Sequence, residues 1–454
     1  MKETSSKLTK QLTKKLIGVV SLGCDKNRVD TETMLTYLNQ AGFRFTSDPK
    51  EANVIIINTC AFIAKARKEA VDTIDEMLEY KKKGKCEKII VTGCMPQKYL
   101  PELKKEFKTV DCFLGFDDYP NIAQIVSDLY DKGGQIVRCG DASTIACVEN
   151  RMITTPNHYA YLKIADGCEN YCTFCTIPFI RGRFRSKPID EVAREAKSLV
   201  NGGATELILV AQDVTKYGTD LFGKPALVDL IKKLSKIKDL RWIRLLYCYP
   251  ELVTDELLNE VVTNDKVCKY LDIPFQHVSD NVLKMMNRHI NHEKTIALVE
   301  KIRALPVHIA IRTTFMVGFP GETDKDFAEL VDFVKRYKLD QVGFFAYSKE
   351  EGTVAAKMPN QVDEKTKNKR LLAIMKEAEK VQKANLRAMV GKTVDVVYED
   401  IDYDRELFVG RSQYQAPEID NLIYFKSKDF VDVGGMYPVK ITRVMGCDLK
   451  GEKL

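Results

Sequence analysis

The sequence predicts an α/β chain in three parts: an open parallel α/β sheet domain at the N-terminus, a central partial (β/α)6 barrel and a small all-β domain at the C-terminus. Three observations carry this. From Leu16 to about Tyr130, short β-branched runs alternate with amphipathic stretches, the pattern of a parallel sheet with helices on its faces. From Tyr159 six further strand–helix units follow in series, short of the eight that close a full parallel barrel. Beyond Gly391 the pattern changes to short alternating strands between turn residues. A length of 454 residues suits about three domains.

Taken in order, the first part has strand candidates at Leu16–Val20, Val54–Ile57, Lys88–Thr92 and Cys112–Leu114, with helical patterns such as Asp30–Leu38 and Ala64–Tyr80 between them. Gly133-Gly134 and the irregular stretch Asp141–Asn157 mark a boundary. The second part has strands at Tyr159–Ile164, Glu206–Val210, Trp242–Tyr247, Tyr270–Ile273, Ala310–Val317 and Gln341–Tyr347. Helical patterns separate them, and a long charged helix, Asp363–Met389, follows. The third part alternates at Thr393–Tyr398, Leu407–Arg411, Ile423–Lys426 and Met436–Val444. The domains expected are 14–132, 154–388 and 389–454.

Apolar residues make up 45% of the chain, enough for real cores, and the net charge of +6 by itself argues for no nucleic-acid partner. Met1–Lys15 is polar and basic, and the apolar run Leu16–Leu22 is too short for a signal-peptide core or a membrane span. A cytoplasmic location is expected, where thiols stay reduced. The 13 cysteines therefore point to metal or redox chemistry where they cluster, and to small buried hydrophobes where they do not. Cys86, Cys112, Cys139, Cys147, Cys248, Cys268 and Cys447 share no spacing and are read as core or incidental.

Cys168, Cys172 and Cys175 lie just after the first strand of the central part. A structural zinc site wants four closed ligands, and a redox pair needs only CxxC. Three cysteines at spacings of four and three suit three corners of a 4Fe–4S cube, with the fourth iron open. In a parallel barrel the loops after the strands form the active face. With Phe174 before the last cysteine, the motif resembles that of the radical S-adenosylmethionine superfamily. The resemblance implies that the open iron chelates S-adenosylmethionine, which is then split to a 5′-deoxyadenosyl radical. Gly318 and Gly321, ending the fifth strand, are read as allowing close approach of a ligand. Gln212 and Asp213 end the second strand, and Asp272 and Gln276 flank the end of the fourth; all four are cofactor or substrate contacts or else local caps.

Cys24, Cys60 and Cys94 are far apart in sequence, yet each follows a strand of the first part. The carboxyl ends of parallel strands share one edge, so three thiols converge there without a local motif. The stretches 21–32, 57–63 and 92–99 that carry them resemble the N-terminal domain of the methylthiotransferase family, and the resemblance runs from Val20 to about Leu449. It implies a second 4Fe–4S cluster, whose open iron carries the sulfur to be delivered. It also implies two uses of S-adenosylmethionine, one to methylate that sulfur and one to make the radical that takes a substrate hydrogen. The two open clusters would have to face one cavity.

Family members act on transfer RNA bases or on an aspartate of a ribosomal protein. The stretches 167–188, 271–280 and 410–420 are similar to the ribosomal-protein branch. The C-terminal part resembles a TRAM domain, usually an RNA-binding module. From Ala388 onward it holds nine Lys/Arg and twelve Asp/Glu, where an RNA surface should be basic. An acidic module suits a basic ribosomal protein. The resemblance implies the β-carbon of an aspartate in protein twelve of the small ribosomal subunit as the target. It implies reduced flavodoxin or ferredoxin as electron donor, no membrane partner and no transfer RNA substrate; a monomer is expected. Arg181, Arg183 and Arg185 are read either as carboxylate clamps or as a solvated basic loop. The competing readings are a transfer RNA methylthiotransferase and a non-catalytic iron–sulfur sensor or scaffold.

Overall fold

The computed structural model describes residues 13–454; most of the polar N-terminal stretch Met1–Lys15 lies outside them. The chain divides into two compact units. One holds the residues up to Thr154, with Tyr161–Tyr171 and Cys175–Leu199; the other holds Thr155–Ala160, Cys172–Phe174 and Val200–Leu454.

The first unit is built on β1 (Leu16–Ser21), β2 (Arg44–Phe45), β3 (Val54–Thr59), β4 (Lys88–Gly93), β5 (Cys112–Leu114) and β6 (Ile136–Arg138). All pair in parallel, in the order β2-β1-β3-β4-β5-β6. Helices cross over on the faces, so the central strand is buried on both sides: every residue of β3, Val-Ile-Ile-Ile-Asn-Thr, is buried. The order 2-1-3-4-5 reverses direction between β1 and β3, which opens a crevice at their carboxyl ends. Ile17, Ile55, Ile56, Ile90, Val91 and Phe113 form the core of this unit with Met34, Leu38 and Ile74 from the covering helices.

The four strands expected here are all present; β2 and β6 are additional. Each is too short to carry a periodic signal, and β6 lies beyond the Gly133-Gly134 pair, where it pairs with β5.

The second unit has a singly wound parallel sheet, β7 (Glu206–Val210), β8 (Trp242–Leu245), β9 (Val267–Asp272), β10 (Ala310–Val317) and β11 (Gln341–Ala346). Its order is β11-β10-β9-β8-β7. Neighbours in sequence are neighbours in space, as in a barrel, but the sheet is open. The long helix Glu364–Met389 starts at its Asp363 cap.

The C-terminal strands Thr393–Asp402, Leu407–Ser412, Ile423–Lys426, Met436–Met445 and Asp448–Lys453 close into a five-stranded barrel filled by Val396, Tyr398, Phe425, Val439 and Leu449. The last of these strands escapes sequence reading, because Asp-Leu-Lys-Gly-Glu-Lys places only Leu449 and Gly451 inside. In the same unit Arg411 bonds to Glu206 and Glu399, and Arg244 to Glu206, all of them buried or nearly so. No described helix is long and apolar enough to cross a membrane.

Candidate metal centres

In the first unit, Cys24, Cys60 and Cys94 follow β1, β3 and β4, at the carboxyl edge and beside the reversal point. The chain brings them together with two glycines. Gly23 has φ +94°, and a side chain there would sit 2.8 Å from the Cys60 Cβ and 3.2 Å from its Sγ. The Cys24 loop thus lies directly against Cys60. Gly93, at φ +93°, would press a Cβ to within 2.7 Å of the Thr59 nitrogen, so it lets Cys94 start its helix immediately after the strand.

Two of the three thiols occupy helix N-termini: Cys24 caps Asp25–Gln40 and Cys94 opens Cys94–Glu106. That position favours anionic sulfur. Burial pushes the Cys94 thiol up to about 12 and raises Cys60 too, and Arg181 pulls both the other way. Cys24 and Cys60 act on Cys94 as further negative charges. Such thiols ionise when a cation or metal takes their protons' place. Among the described residues no group of three or more His, Cys, Asp or Glu side chains closes on one metal ion. A four-iron cube holds its thiolates farther apart than a single ion does, and three soft anionic donors fit it.

Behind this trio lies a buried polar network. Arg181 is 1% exposed and donates from Nη1 to Asp166 (2.8 Å) and from Nη2 to Asp30 (2.9 Å) and Asn27 (2.5 Å). Its Nη2 is 3.9 Å from the Cys94 Sγ, and its guanidinium stacks 4.4 Å from the Phe116 ring centre. Lys163 completes a quartet, bonding to Asp30 and, at 3.0 Å, to Asp166. Burial works against both cations, and the two carboxylates more than restore their charge.

Arg181 is therefore neither a clamp for a substrate carboxylate nor part of a solvated loop: it is buried and bonded to Asp166, Asp30 and Asn27. Arg183 is exposed, and Arg185 donates to the carbonyls of Arg181 and Arg183. Sequence reading missed Asn27, Asp30, Lys163 and Asp166. The spacing of Asn27 and Asp30, three apart on the helix that Cys24 caps, was the available signal.

In the same unit Cys168 donates its N–H to the Gly182 carbonyl (3.2 Å), and the Ile177 N–H points at the Cys175 Sγ (3.4 Å). In the second unit the Cys172 Sγ lies 3.8 Å from the Tyr249 hydroxyl and 3.7 Å from Arg288 Nη1. Arg288 is buried, stacks on Tyr249 at 3.9 Å and donates to the Pro274 carbonyl. Sequence reading missed Arg288, Tyr249 and Glu251, whose carboxylate oxygens are buried with no partner among the described residues. Burial raises the Glu251 carboxyl against the nearby Arg288.

The other expected contacts fall in the second unit. Phe174 packs edge-on to Phe319, within a cluster that includes Met286, Met316 and Tyr347. Asp213 accepts from the Thr215 hydroxyl and the Lys216 N–H, and so caps its own turn. Asp272 accepts from the Tyr247 N–H (3.1 Å) and Arg312 (3.0 Å). Gln276 has φ +69°, and its Oε1 is buried with no partner among the described residues. Gln212 lies two residues past Val210, the last residue of its strand. A Cβ on Gly318 would meet Lys367, and one on Gly321 would stand 2.8 Å from Met285 Sδ, so both glycines admit protein side chains. Glu322 accepts from the Gly318 N–H and from Arg370, tying this turn to the long helix. Of the cysteines read as incidental, Cys86, Cys112, Cys248 and Cys268 are buried, and no cysteine among the described residues is in a disulfide.

Residues 16–115 match the uncharacterized protein family UPF0004, 162–334 the Radical SAM superfamily and 390–453 the TRAM domain. Among solved structures, the fold is similar to the radical S-adenosylmethionine methyltransferase TsrM from Kitasatospora setae, with a TM-score of 0.57 at 14% identity, covering 73% of this chain and 72% of that one. The cobalamin-dependent S-adenosylmethionine radical enzyme OxsB has a TM-score of 0.54 at 13% identity, covering 81% and 56%. A curated relative named ribosomal protein uS12 methylthiotransferase RimO, from Clostridium botulinum (strain Eklund 17B / Type B), is 45% identical over 97% of this chain and 98% of its own length. One of the same name from Trichlorobacter lovleyi is 45% identical over 98% and 99%. With such identity over nearly its whole length, and with all three domain families in order, the chain belongs to the RimO family of radical S-adenosylmethionine methylthiotransferases.

Proposed function

We infer that this protein puts a methylthio group in place of a hydrogen on the β-carbon of an aspartate in ribosomal protein uS12. The observation that carries the reading is the 45% identity over 97% of the chain to a relative named for action on uS12. In this reading Cys168, Cys172 and Cys175 hold a 4Fe–4S cluster with one iron left for S-adenosylmethionine, and Cys24, Cys60 and Cys94 hold a second. When bound, these groups supply the electron that opens a carbon–sulfur bond of S-adenosylmethionine and the sulfur to be delivered.

The chain's own residues bind and orient. Gln276, with its unpartnered buried oxygen, and Gln212 offer polar contacts to the cofactor, and Phe174 covers its apolar side. Asp213 and Asp272 hold the strand-end loops in place through the bonds they already make. Gly318 and Gly321 shape the turn after β10. The acidic C-terminal barrel, with twelve Asp/Glu against nine Lys/Arg, suits a basic ribosomal protein as partner. The reading divides the chain at 14–132, 154–388 and 389–454, and places it in the cytoplasm as a monomer reduced by flavodoxin or ferredoxin.

The test loads the chain with iron and sulfide anaerobically, then adds dithionite, S-adenosylmethionine and uS12. The expected results are about eight irons per chain, 5′-deoxyadenosine, and a uS12 aspartate heavier by one methylthio group. No nucleoside would leave an iron–sulfur sensor. A methylthio base on transfer RNA, with uS12 unchanged, would move the chain to the other branch of the family.

A further inference from the structure

Two segments far apart in sequence meet at Cys94. Its sulfur lies 3.9 Å from Arg181 Nη2, and the arginine that reaches it is the last residue of the short helix Ile177–Arg181. That helix begins two residues after Cys175. The loop that ends one cysteine trio therefore delivers a buried cation to the other trio, and both ends of this link lie in the first unit.

Three features separate this contact from ordinary core packing. Arg181 is 1% exposed, so its charge reaches the sulfur with little screening by water. The guanidinium is clamped from three sides, by Asp166, Asp30 and Asn27, so its direction is set by bonds. Asn27 serves both partners, with its Oδ1 2.5 Å from Arg181 Nη2 and 3.7 Å from the Cys94 sulfur. The quartet of Lys163, Arg181, Asp30 and Asp166 is neutral by itself. Anionic sulfur at Cys94 thus adds negative charge beside a cation held in place to receive it.

We propose that Arg181 is a positioning residue that holds the Cys94 thiolate by a charge-assisted hydrogen bond and thereby sets the reduction potential of the cluster on Cys24, Cys60 and Cys94. The inference rests on the two-cluster reading above. A cation bonded to a ligand sulfur stabilises the more negative, reduced state, so it raises the potential. The coupling also has a direction along the chain: movement of the Cys175 loop carries Arg181 with it, and so reaches the other trio.

The test uses the full chain with Cys168, Cys172 and Cys175 all changed to Ala, so that only the second cluster is present, at about four irons. With arginine labelled by nitrogen-15, pulsed electron paramagnetic resonance of the reduced cluster should show a nitrogen coupling, and Arg181→Lys should remove it. In Arg181→Gln the ratio of oxidised to reduced cluster at a fixed potential should rise about tenfold, the scale of one charged hydrogen bond, with Arg181→Lys in between. Should Arg181→Gln fail to hold iron, the coupling in the arginine-intact chain decides alone. An iron-loaded chain with no coupling overturns the inference and leaves the two-cluster reading standing. A triple-Ala chain that takes up no iron overturns both.

Discussion

At the scale of single residues, the six cysteines divide by the work of their trios. Changing Cys168, Cys172 or Cys175 to Ala should abolish 5′-deoxyadenosine formation. Changing Cys24, Cys60 or Cys94 should leave nucleoside formation and stop methylthiolation of uS12. Chromatography of the nucleoside and mass spectrometry of uS12 read the two outcomes separately. Arg151 carries a different load. It is buried with bonds to Glu32, Glu195 and the Tyr161 carbonyl. Burial opposes the charge of Glu195, and Lys187 and Arg151 hold its carboxyl below the usual range. Arg151→Met should cost about 3–5 kcal/mol in urea unfolding, because two buried carboxylates lose a shared partner.

At the scale of elements, turns and caps set where the functional loops sit. Gly93→Ala would force a side chain against Asn58 and Thr59 at φ +93°. It should destabilise the chain by about 1–3 kcal/mol and lower iron uptake by the Cys24 trio. The helix Asp324–Tyr337 starts with a full capping box between Thr323 and Asp326. Burial would raise the Asp326 carboxyl, but bonds from Ser279, Thr323 and Asn281 bring it down to about 2. A carboxyl depressed in the folded state stabilises fully above the unfolded value of about 3.9. That stability is lost as pH falls towards about 2. Urea unfolding of the metal-free chain should show Asp326→Asn weaker than wild type at pH near 5, with the difference shrinking as the pH falls below about 4.

At the scale of the whole molecule, the C-terminal barrel and the central sheet share buried charge. Glu206 opens β7, Arg244 lies on β8 and Arg411 comes from the barrel. Burial opposes the Glu206 charge, and Arg411 and Arg244 more than offset it. Arg244 also donates to the Gln413 carbonyl at 2.8 Å. Ending the chain at Met389 should therefore lower the thermal midpoint of the central domain, since Glu206 loses Arg411 and Arg244 loses the Gln413 carbonyl. Arg411→Met should cost about 3–5 kcal/mol, and Glu206→Gln combined with Arg411→Met should cost less than the sum of the two singly.

Much of this architecture is local enough to read from sequence. The strand at residues 206–210, Glu-Leu-Ile-Leu-Val, is legible to the residue, because a buried parallel strand is a dense apolar run. The two cysteine trios were legible for related reasons: one is a compact motif, and the other repeats one place in three successive strand–loop units. Elements of two or three residues, β2 and β6, carry no period of their own and exist through their neighbours. Arg181 reads in sequence as one basic residue among several. Only tertiary structure sets it against Asp30 and Cys94, which lie 151 and 87 positions away. Strand order and ligand type follow from local pattern and side-chain chemistry, whereas the charge around each sulfur comes from long-range packing, which places cations no spacing rule can locate.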